Sequence, residues 1–129
     1  MAMQWKIDEK TRTLTIRGKG AIPDYKDDNK MQQPWFMTDT NVPRSKKNLT
    51  VHHIKVGSGI TSIGDYTFEG LKNVETVELS HSIKTIGAYA FWGCSELELS
   101  MSNKEIDSGK DAFRNVKSVE IRTHDWIKF

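Results

Sequence analysis

The chain has 129 residues, which suits one ordinary domain with a buried core and leaves little room for a second. Hydrophobic residues make up 36% and charged residues 28%, so the sequence is neither a membrane span nor a tail too polar to fold. Nineteen basic against seventeen acidic side chains leave a net charge of +2, too small a surplus to indicate nucleic-acid binding by itself. A single cysteine, Cys94, excludes an internal disulfide and a cysteine-based zinc site.

Residues 1–6 contain no apolar segment of the kind found in a secretory signal peptide. No apolar run approaches the length needed to cross a bilayer, so we predict no membrane span. These features predict a cytoplasmic protein if Met1 is the native start, or a secreted one whose signal peptide is missing from this sequence.

The first predicted element is a β-hairpin, since apolar and polar residues alternate on either side of the polar turn at 8–11. Its apolar face, which we expect to sit on the first coil of the second half, contains Trp5, Ile7, Leu14 and Ile16. Residues 26–50 then form a long polar stretch, and such length inside a compact domain is usually functional or mobile. The apolar residues 34–37 within it either plug the cap or meet a partner.

The second half of the chain repeats itself. The segment Ile-Gly-Asp-Tyr-Thr-Phe at 63–68 returns as Ile-Gly-Ala-Tyr-Ala-Phe at 86–91 and, more weakly, as Ser-Gly-Lys-Asp-Ala-Phe at 108–113. Its glycines and phenylalanines recur at intervals of 23 and 22 residues, as Gly64, Gly87 and Gly109 and as Phe68, Phe91 and Phe113. The glycine at a constant phase indicates either a positive φ or a close backbone approach.

Each repeat unit opens with a short alternating segment, which predicts a half-buried strand. These segments lie at 54–56, 77–79, 97–101 and 119–121. A second apolar pair follows, and the Gly-x-x-x-Phe segment then crosses back in an arc of at most about one helical turn. One such coil cannot close a core alone, so we predict stacked coils with parallel strand pairing and phenylalanine packed on phenylalanine.

The segments 59–68 and 90–97 resemble the BspA-like family of leucine-rich repeats. Residues 5–8 and 13–25, together with Pro34-Trp35, resemble the leader that precedes the first repeat of that family. The resemblance covers about residues 4–121. It implies a β-rich α/β solenoid: a leucine-rich-repeat right-handed superhelix of about three 22–23-residue coils with an N-terminal β-hairpin cap. We assign 1–50 to the cap and polar loop, and 51–129 to the repeats with a C-terminal cap. The third repeat departs from the pattern at Ser108, where stacking is expected to be looser.

The C-terminal segment carries three large apolar residues beyond the last predicted strand. They cover the final coil, or mark where further repeats or another chain would dock: Trp126, Ile127 and Phe129.

No motif in the sequence points to catalysis. The segment 57–59 lacks the spacing of a nucleophile elbow, and the glycines at 18 and 20 run into Pro23 without the helix that a phosphate loop requires. Cys94 occupies the position held by Leu71 and Val116 in the other units, so it is predicted to be a buried small hydrophobe. We therefore predict no catalytic or cofactor-binding residue.

The histidines do not form a predictable metal site. His52 and His53 are adjacent, so on a strand they point to opposite faces, and His81 and His124 are isolated. We predict no metal ligand.

The outward positions of a solenoid are the ones free to serve function. On the predicted strands these include three carboxylates, Glu78, Glu98 and Glu120, where a phosphate-tracking groove would instead need basic residues. On the arc, Trp92 follows the repeated phenylalanine at a position that is charged in the other two units, and Tyr66 and Tyr89 share one phase beside it. We predict a partner-binding surface from these residues, since exposed aromatics dominate protein–protein hot spots; alternatively, Trp92 simply lies over a neighbouring coil.

The sequence therefore favours a protein-binding domain that is not an enzyme and that binds no nucleic acid. The resemblance implies a bacterial cell-surface or secreted protein that adheres to host or matrix proteins. Two alternatives stay open: a small cytosolic inhibitor or immunity-type protein that neutralises a toxin or enzyme, and an enzyme with a site in residues 26–50. A native precursor with a signal peptide or further repeats would favour adhesion, and a neighbouring toxin gene would favour the inhibitor.

Overall fold

The computed structural model describes residues 3–25, 33–35, 51–101 and 106–121. Ten short strands account for the regular structure of these residues. In chain order they are β1 (Gln4–Asp8), β2 (Thr13–Arg17), β3 (Gly20–Ala21), β4 (His53–Val56), β5 (Ile60–Ile63), β6 (Thr76–Leu79), β7 (Thr85–Ile86), β8 (Glu98–Met101), β9 (Asp107–Ser108) and β10 (Ser118–Ile121). The first strand of each repeat falls where the alternating segments predict it.

The coils stack through two sets of parallel strands, and only β1 pairs in antiparallel orientation, with β2, among the described strands. One sheet has the order β1-β2-β4-β6 and is followed by the pair β8 and β10, while a second sheet has the order β3-β5-β7-β9. In β4, Ile54 and Val56 are buried and Lys55 is exposed, which is the alternation of a strand with one face on the core. The predicted stacking of coils with a parallel ladder is therefore confirmed.

The N-terminal hairpin joins the sheet edge to edge. Leu14 and Ile16 of its predicted apolar face are buried, whereas its place beside the first coil, as a continuation of the sheet, does not follow from the sequence. Strand β2 pairs in parallel with β4, with Leu14 beside Ile54, and β3 pairs with β5. Leu14 is fully buried, whereas Trp5 on the outermost strand is 38% exposed. The physical reason is that β4 without a neighbour would leave backbone N–H and C=O groups unpaired on this edge. The parallel strand β2 supplies their hydrogen-bond partners.

Residues 33–35 return to the core beside the first repeat. The Trp35 side chain is 0% exposed, and its Nε1–H donates a hydrogen bond to the backbone oxygen of Thr67 at 2.9 Å. Gln33 donates from Nε2 to the backbone oxygen of Tyr66. Tyr25 packs edge-on against Trp35, and burial raises the pKa of its phenol. The burial of Trp35 agrees with the expectation that residues 34–37 plug the cap. Residues 36 and 37 lie outside the described residues.

The repeated phenylalanines form a single column through the core. Ring centroids lie 5.4 Å apart between Phe68 and Phe91 and 5.9 Å apart between Phe91 and Phe113, and Trp35 extends the column at 5.7 Å from Phe68. Phe68 and Phe91 are fully buried, but Phe113 is only half-buried. Ser108, which replaces the expected isoleucine, is exposed. The expectation of looser stacking in the third repeat agrees with both observations.

The repeated glycines serve close backbone approach. A Cβ on Gly87 would lie 2.5 Å from the backbone nitrogen of Asp65, and one on Gly109 would lie 2.7 Å from the backbone nitrogen of Ala88. None of the three repeated glycines has a positive φ. The structure thus selects one of the two roles that the sequence left open.

The arcs between the strands are turns, and the described residues contain no α-helix. In the first arc the N–H groups of Glu69 and Leu71 donate to the oxygens of Tyr66 and Phe68, three residues earlier. The α/β part of the predicted class is therefore wrong for these residues. The 12 residues between β5 and β6 form turns, in which Tyr66 at φ +58° and Gly70 at φ +78° are incompatible with a right-handed helix. The right-handed superhelix and the count of three coils stay predictions.

Aspartate side chains link successive coils. Asp24 Oδ1 accepts a hydrogen bond from the Asp65 N–H at 2.7 Å, and Asp65 Oδ1 accepts one from the Ala88 N–H at 2.8 Å. Each carboxylate thus satisfies a backbone donor of the following coil at the same phase of the repeat.

We expect Asp65→Ala to lower the free energy of unfolding by about 1–2 kcal/mol, because it leaves the Ala88 N–H without its acceptor. Asp65→Asn retains an oxygen at that place and is the matched control, with a smaller loss. Urea denaturation followed by circular dichroism measures both. Equal losses in the two variants would contradict the role of this hydrogen bond.

Candidate functional site

Three aromatic side chains that the sequence singled out come together on the arc side of the coils. The Tyr66 and Tyr89 rings are stacked, with centroids 5.0 Å apart and planes 12° from parallel. The Trp92 ring lies 5.4 Å from Tyr89 at 57°. We call Tyr66, Tyr89 and Trp92 the aromatic cluster.

Trp92 differs from its predicted exposure. Its side chain is half-buried, because one side of the indole lies against Tyr89 of its own coil. The equivalent residue is half-buried Glu69 in the preceding unit and exposed Arg114 in the following one. Trp92 therefore still presents surface to solvent, and the ring contact that partly covers it comes from its own coil; the alternative that it lies over a neighbouring coil stays a prediction.

The tyrosines of the cluster have an unfavourable backbone conformation. Tyr66 and Tyr89 have φ values of +58° and +57°, and Asp111 occupies the same phase in the third repeat with +52°. A bulky side chain in this region is uncommon and costs on the order of 1 kcal/mol or more, whereas Asp and Asn adopt it more readily. The conformation is held by backbone hydrogen bonds of 3.0 Å from the Tyr66 N–H to Ala88 and from the Tyr89 N–H to Lys110. The positive φ directs the tyrosine side chain away from the core. The phenylalanine two residues later packs into the core.

The three predicted carboxylates lie on the outer face of the first strands, away from the aromatic cluster, which follows the second strands. Glu78, Glu98 and Glu120 are all exposed. Glu98 Oε1 lies 3.7 Å from Lys117 Nζ, an exposed ion pair of small energetic weight. A depression of about 550 Å³ over β6 and β8 includes Glu78 and Glu98 in its lining. The structure therefore places the six predicted residues on two separate surfaces.

Sequence reasoning missed a connection between the hairpin and two repeats. His52 Nδ1 lies 2.8 Å from Glu75 Oε2, and His52 Nε2 lies 3.2 Å from an Arg12 guanidinium nitrogen. Arginine can only donate, so Nε2 accepts and Nδ1 carries the proton that is donated to Glu75. His53 bonds to Thr76 across the same strands. The signal was present in the sequence, because His52 and Glu75 are 23 residues apart, which is the repeat period.

The remaining candidates for catalysis and metal binding are Cys94 and the metal-ligating types of side chain. Cys94 is 0% exposed, and its thiol donates to the backbone oxygen of Phe68 at 3.2 Å, which confirms the predicted burial. Within the described parts of the chain there is no cluster of three or more His, Cys, Asp or Glu side chains suited to a metal ion. The same residues include no helix long and apolar enough to span a bilayer.

The comparisons with known proteins agree with the stacked-coil geometry. A crystal structure of a leucine-rich repeat protein from Eubacterium ventriosum is similar to this chain, with a TM-score of 0.60 and 21% sequence identity. The match covers 94% of this chain and 37% of that one, so the chain spans well under half the length of its structural neighbour. At this identity the likeness establishes the fold alone. No curated protein matches the chain. The family described as "BspA type Leucine rich repeat region (6 copies)" matches residues 45–125. The chain therefore belongs to the BspA-type leucine-rich-repeat family.

Proposed function

We propose that this domain binds a protein partner through the aromatic cluster and catalyses no reaction. The observation that carries the proposal is the pair of tyrosines at positive φ, stacked on each other and flanked by Trp92. The left-handed conformation belongs to the repeat, because Asp111 also adopts it, but the same residue shows that the phase does not require a tyrosine side chain. Large aromatic side chains at a surface supply contact area at little cost in conformational entropy.

The substitutions that test this proposal are those that the chain itself uses at the same phase. Trp92→Arg introduces the residue type found at 114, and Tyr89→Asp introduces the one found at 111. We expect both variants to fold, with melting temperatures close to that of the parent, and to lose partner affinity by at least about tenfold. Arg114→Ala, which changes the equivalent position outside the aromatic cluster, is the matched control and should retain affinity.

The partner we propose is a host or matrix protein, with the domain at the cell surface or secreted. This choice of partner and location rests on membership of the family, because the resemblance to that family implies adhesion to host or matrix proteins. The binding measurement uses immobilised purified matrix proteins in one arm and lysate of the source bacterium in the other, with the parent and the Trp92→Arg variant side by side. Binding to a matrix protein that Trp92→Arg abolishes supports the proposal. Capture of a bacterial toxin or enzyme, lost in the same variant, would favour the inhibitor function instead.

Binding that both cluster variants leave unchanged would remove the aromatic cluster from the proposal. Protease treatment of intact cells, followed by detection of the domain, tests the location. Protection of the domain in intact cells and its digestion in lysed cells would contradict a surface location.

A further inference from the structure

A row of six outward side chains crosses all the strands on the outer face of the first sheet and its continuation. Strand register places Lys6 beside Thr15, Thr15 beside Lys55, and Lys55 beside Glu78. At the other end, Ser100 lies beside Glu120. We call this the charge row; its members in spatial order are Lys6, Thr15, Lys55, Glu78, Ser100 and Glu120.

The step between β6 and β8 is fixed by a backbone hydrogen bond. The Glu98 N–H donates to the oxygen of Glu75 at 3.1 Å, in the same way that the Ser118 N–H donates to the oxygen of Leu97 where β10 meets β8. This places Glu98 beside Thr76 and therefore Ser100 beside Glu78. With neighbouring strands about 4.8 Å apart, the row is about 24 Å long.

The order of charges along this row is positive, neutral, positive, negative, neutral, negative. Five of the six side chains are exposed, and Thr15 is half-buried. If a second copy faces the first across a two-fold axis parallel to the strands, the row of one copy meets the row of the other in reverse. Lys6 then faces Glu120, Thr15 faces Ser100, and Lys55 faces Glu78, so every charge meets its opposite.

The neighbouring outward row causes no conflict in this arrangement. Its members from β1 to β10 are Asp8, Thr13, His53, Thr76, Glu98 and Ser118. In reverse order Asp8 faces Ser118, Thr13 faces Glu98 and His53 faces Thr76, so like charges do not meet. An isologous interface requires such self-complementarity of one patch, and most row orders of these residues lack it.

We propose that the charge row is a self-association surface, on which a second copy of this chain docks through reciprocal Lys6–Glu120 and Lys55–Glu78 ion pairs. The proposal is independent of the proposed partner, which uses the aromatic cluster on the arcs. It assigns Glu78 and Glu120, two of the carboxylates predicted to bind a partner, to contact between copies. Exposed ion pairs are individually weak and are screened by salt, so the dimer is weak and strongly dependent on ionic strength.

The test is sedimentation velocity over a range of protein concentrations, on the parent and on charge-reversal variants. We expect the parent to dimerise at low ionic strength, and the association constant to fall at least about tenfold when the salt is raised from about 20 mM to about 500 mM. A parent that stays monomeric at every concentration in low salt overturns the proposal, as does a dimer that is insensitive to salt.

The two central charges give a designed pair of variants. Lys55→Glu and Glu78→Lys each make like charges meet twice across the interface, so each variant alone should be monomeric. Mixed together they should associate, because the two negative charges of one variant face the two positive charges of the other. The double variant Lys55→Glu/Glu78→Lys is again self-complementary and should dimerise like the parent.

The mixture also controls for folding, since only folded variants can restore association. Lys84→Glu makes the same change of charge at an exposed position beside β7, on the second sheet, and should leave the dimer intact. Single variants that dimerise like the parent, or a mixture that stays monomeric while the parent dimerises, would each overturn the proposed face.

Discussion

Phe91→Ala is expected to lower the free energy of unfolding by about 3–5 kcal/mol, the range for removing a large buried aromatic side chain. Phe91 is 0% exposed and lies in the middle of the aromatic column, with Phe68 on one side and Phe113 on the other. Its removal therefore leaves a cavity between two coils whose backbones are held by hydrogen bonds on both sides and cannot collapse into it. Chemical denaturation followed by circular dichroism gives the value.

Phe113→Ala is the matched control for this experiment. It removes the same side chain from the same phase of the repeat, but Phe113 is half-buried and has a ring partner on one side only among the described residues. We expect a loss clearly smaller than that of Phe91→Ala, since the partly exposed site leaves less cavity. Equal losses at the two positions would contradict a column that is tighter in its middle than at its C-terminal end.

Gly87→Ala is expected to destabilise the fold by about 3 kcal/mol, at the upper end of the usual cost of overpacking. The added Cβ would lie 2.5 Å from the Asp65 backbone nitrogen and 2.6 Å from the Gly64 carbonyl carbon. These are backbone atoms of the preceding coil, so they cannot move aside without separating the two coils and weakening the Ala88–Asp65 hydrogen bond. Thermal and urea unfolding of the variant test the prediction.

The control for Gly87→Ala is Gly57→Ala. A Cβ on Gly57 would lie 3.4 Å from the backbone oxygen of Ile16, an ordinary contact, and the residue has no positive φ. We expect its stability to change by no more than about 0.5 kcal/mol, because the reduced entropy of the unfolded chain offsets minor crowding. A large loss at Gly57, or a negligible one at Gly87, would show that close approach is not what the repeated glycine provides.

The aromatic cluster shows how far a candidate site can be predicted from a repeat. Tyr66 and Tyr89 share a phase, so their stacking follows from the period alone, and the structure confirms it. The partial burial of Trp92 does not follow, because it depends on the direction that the positive φ gives the Tyr89 ring. A left-handed tyrosine has no signature in sequence, since the residues that favour this conformation are Gly, Asn and Asp.

The charge row lies beyond the reach of sequence for a similar reason. Alternation predicts that Glu78 and Glu120 face outward, but it does not place Lys6 and Thr15 in the same row. That placement needs the hairpin to join the sheet by pairing β2 with β4, across about forty residues of chain. Local patterns cannot encode such a choice, because the same hairpin satisfies its own apolar alternation whether it lies on a coil or beside it.

The sequence by itself determined which residues face the core. Every coil must bury the same positions against the next coil, so the same pattern of apolar residues recurs in each repeat unit. Phe68, Phe91, the first strands and the burial of Cys94 all follow from that periodicity. Only the tertiary structure decided how one coil meets another: the close approach at Gly87, the hairpin as a continuation of the sheet, and the separation of the aromatic cluster from the carboxylates. These features depend on distances between backbones that are far apart in the chain, and such distances are set by stacking and hydrogen-bond register after the coils have formed.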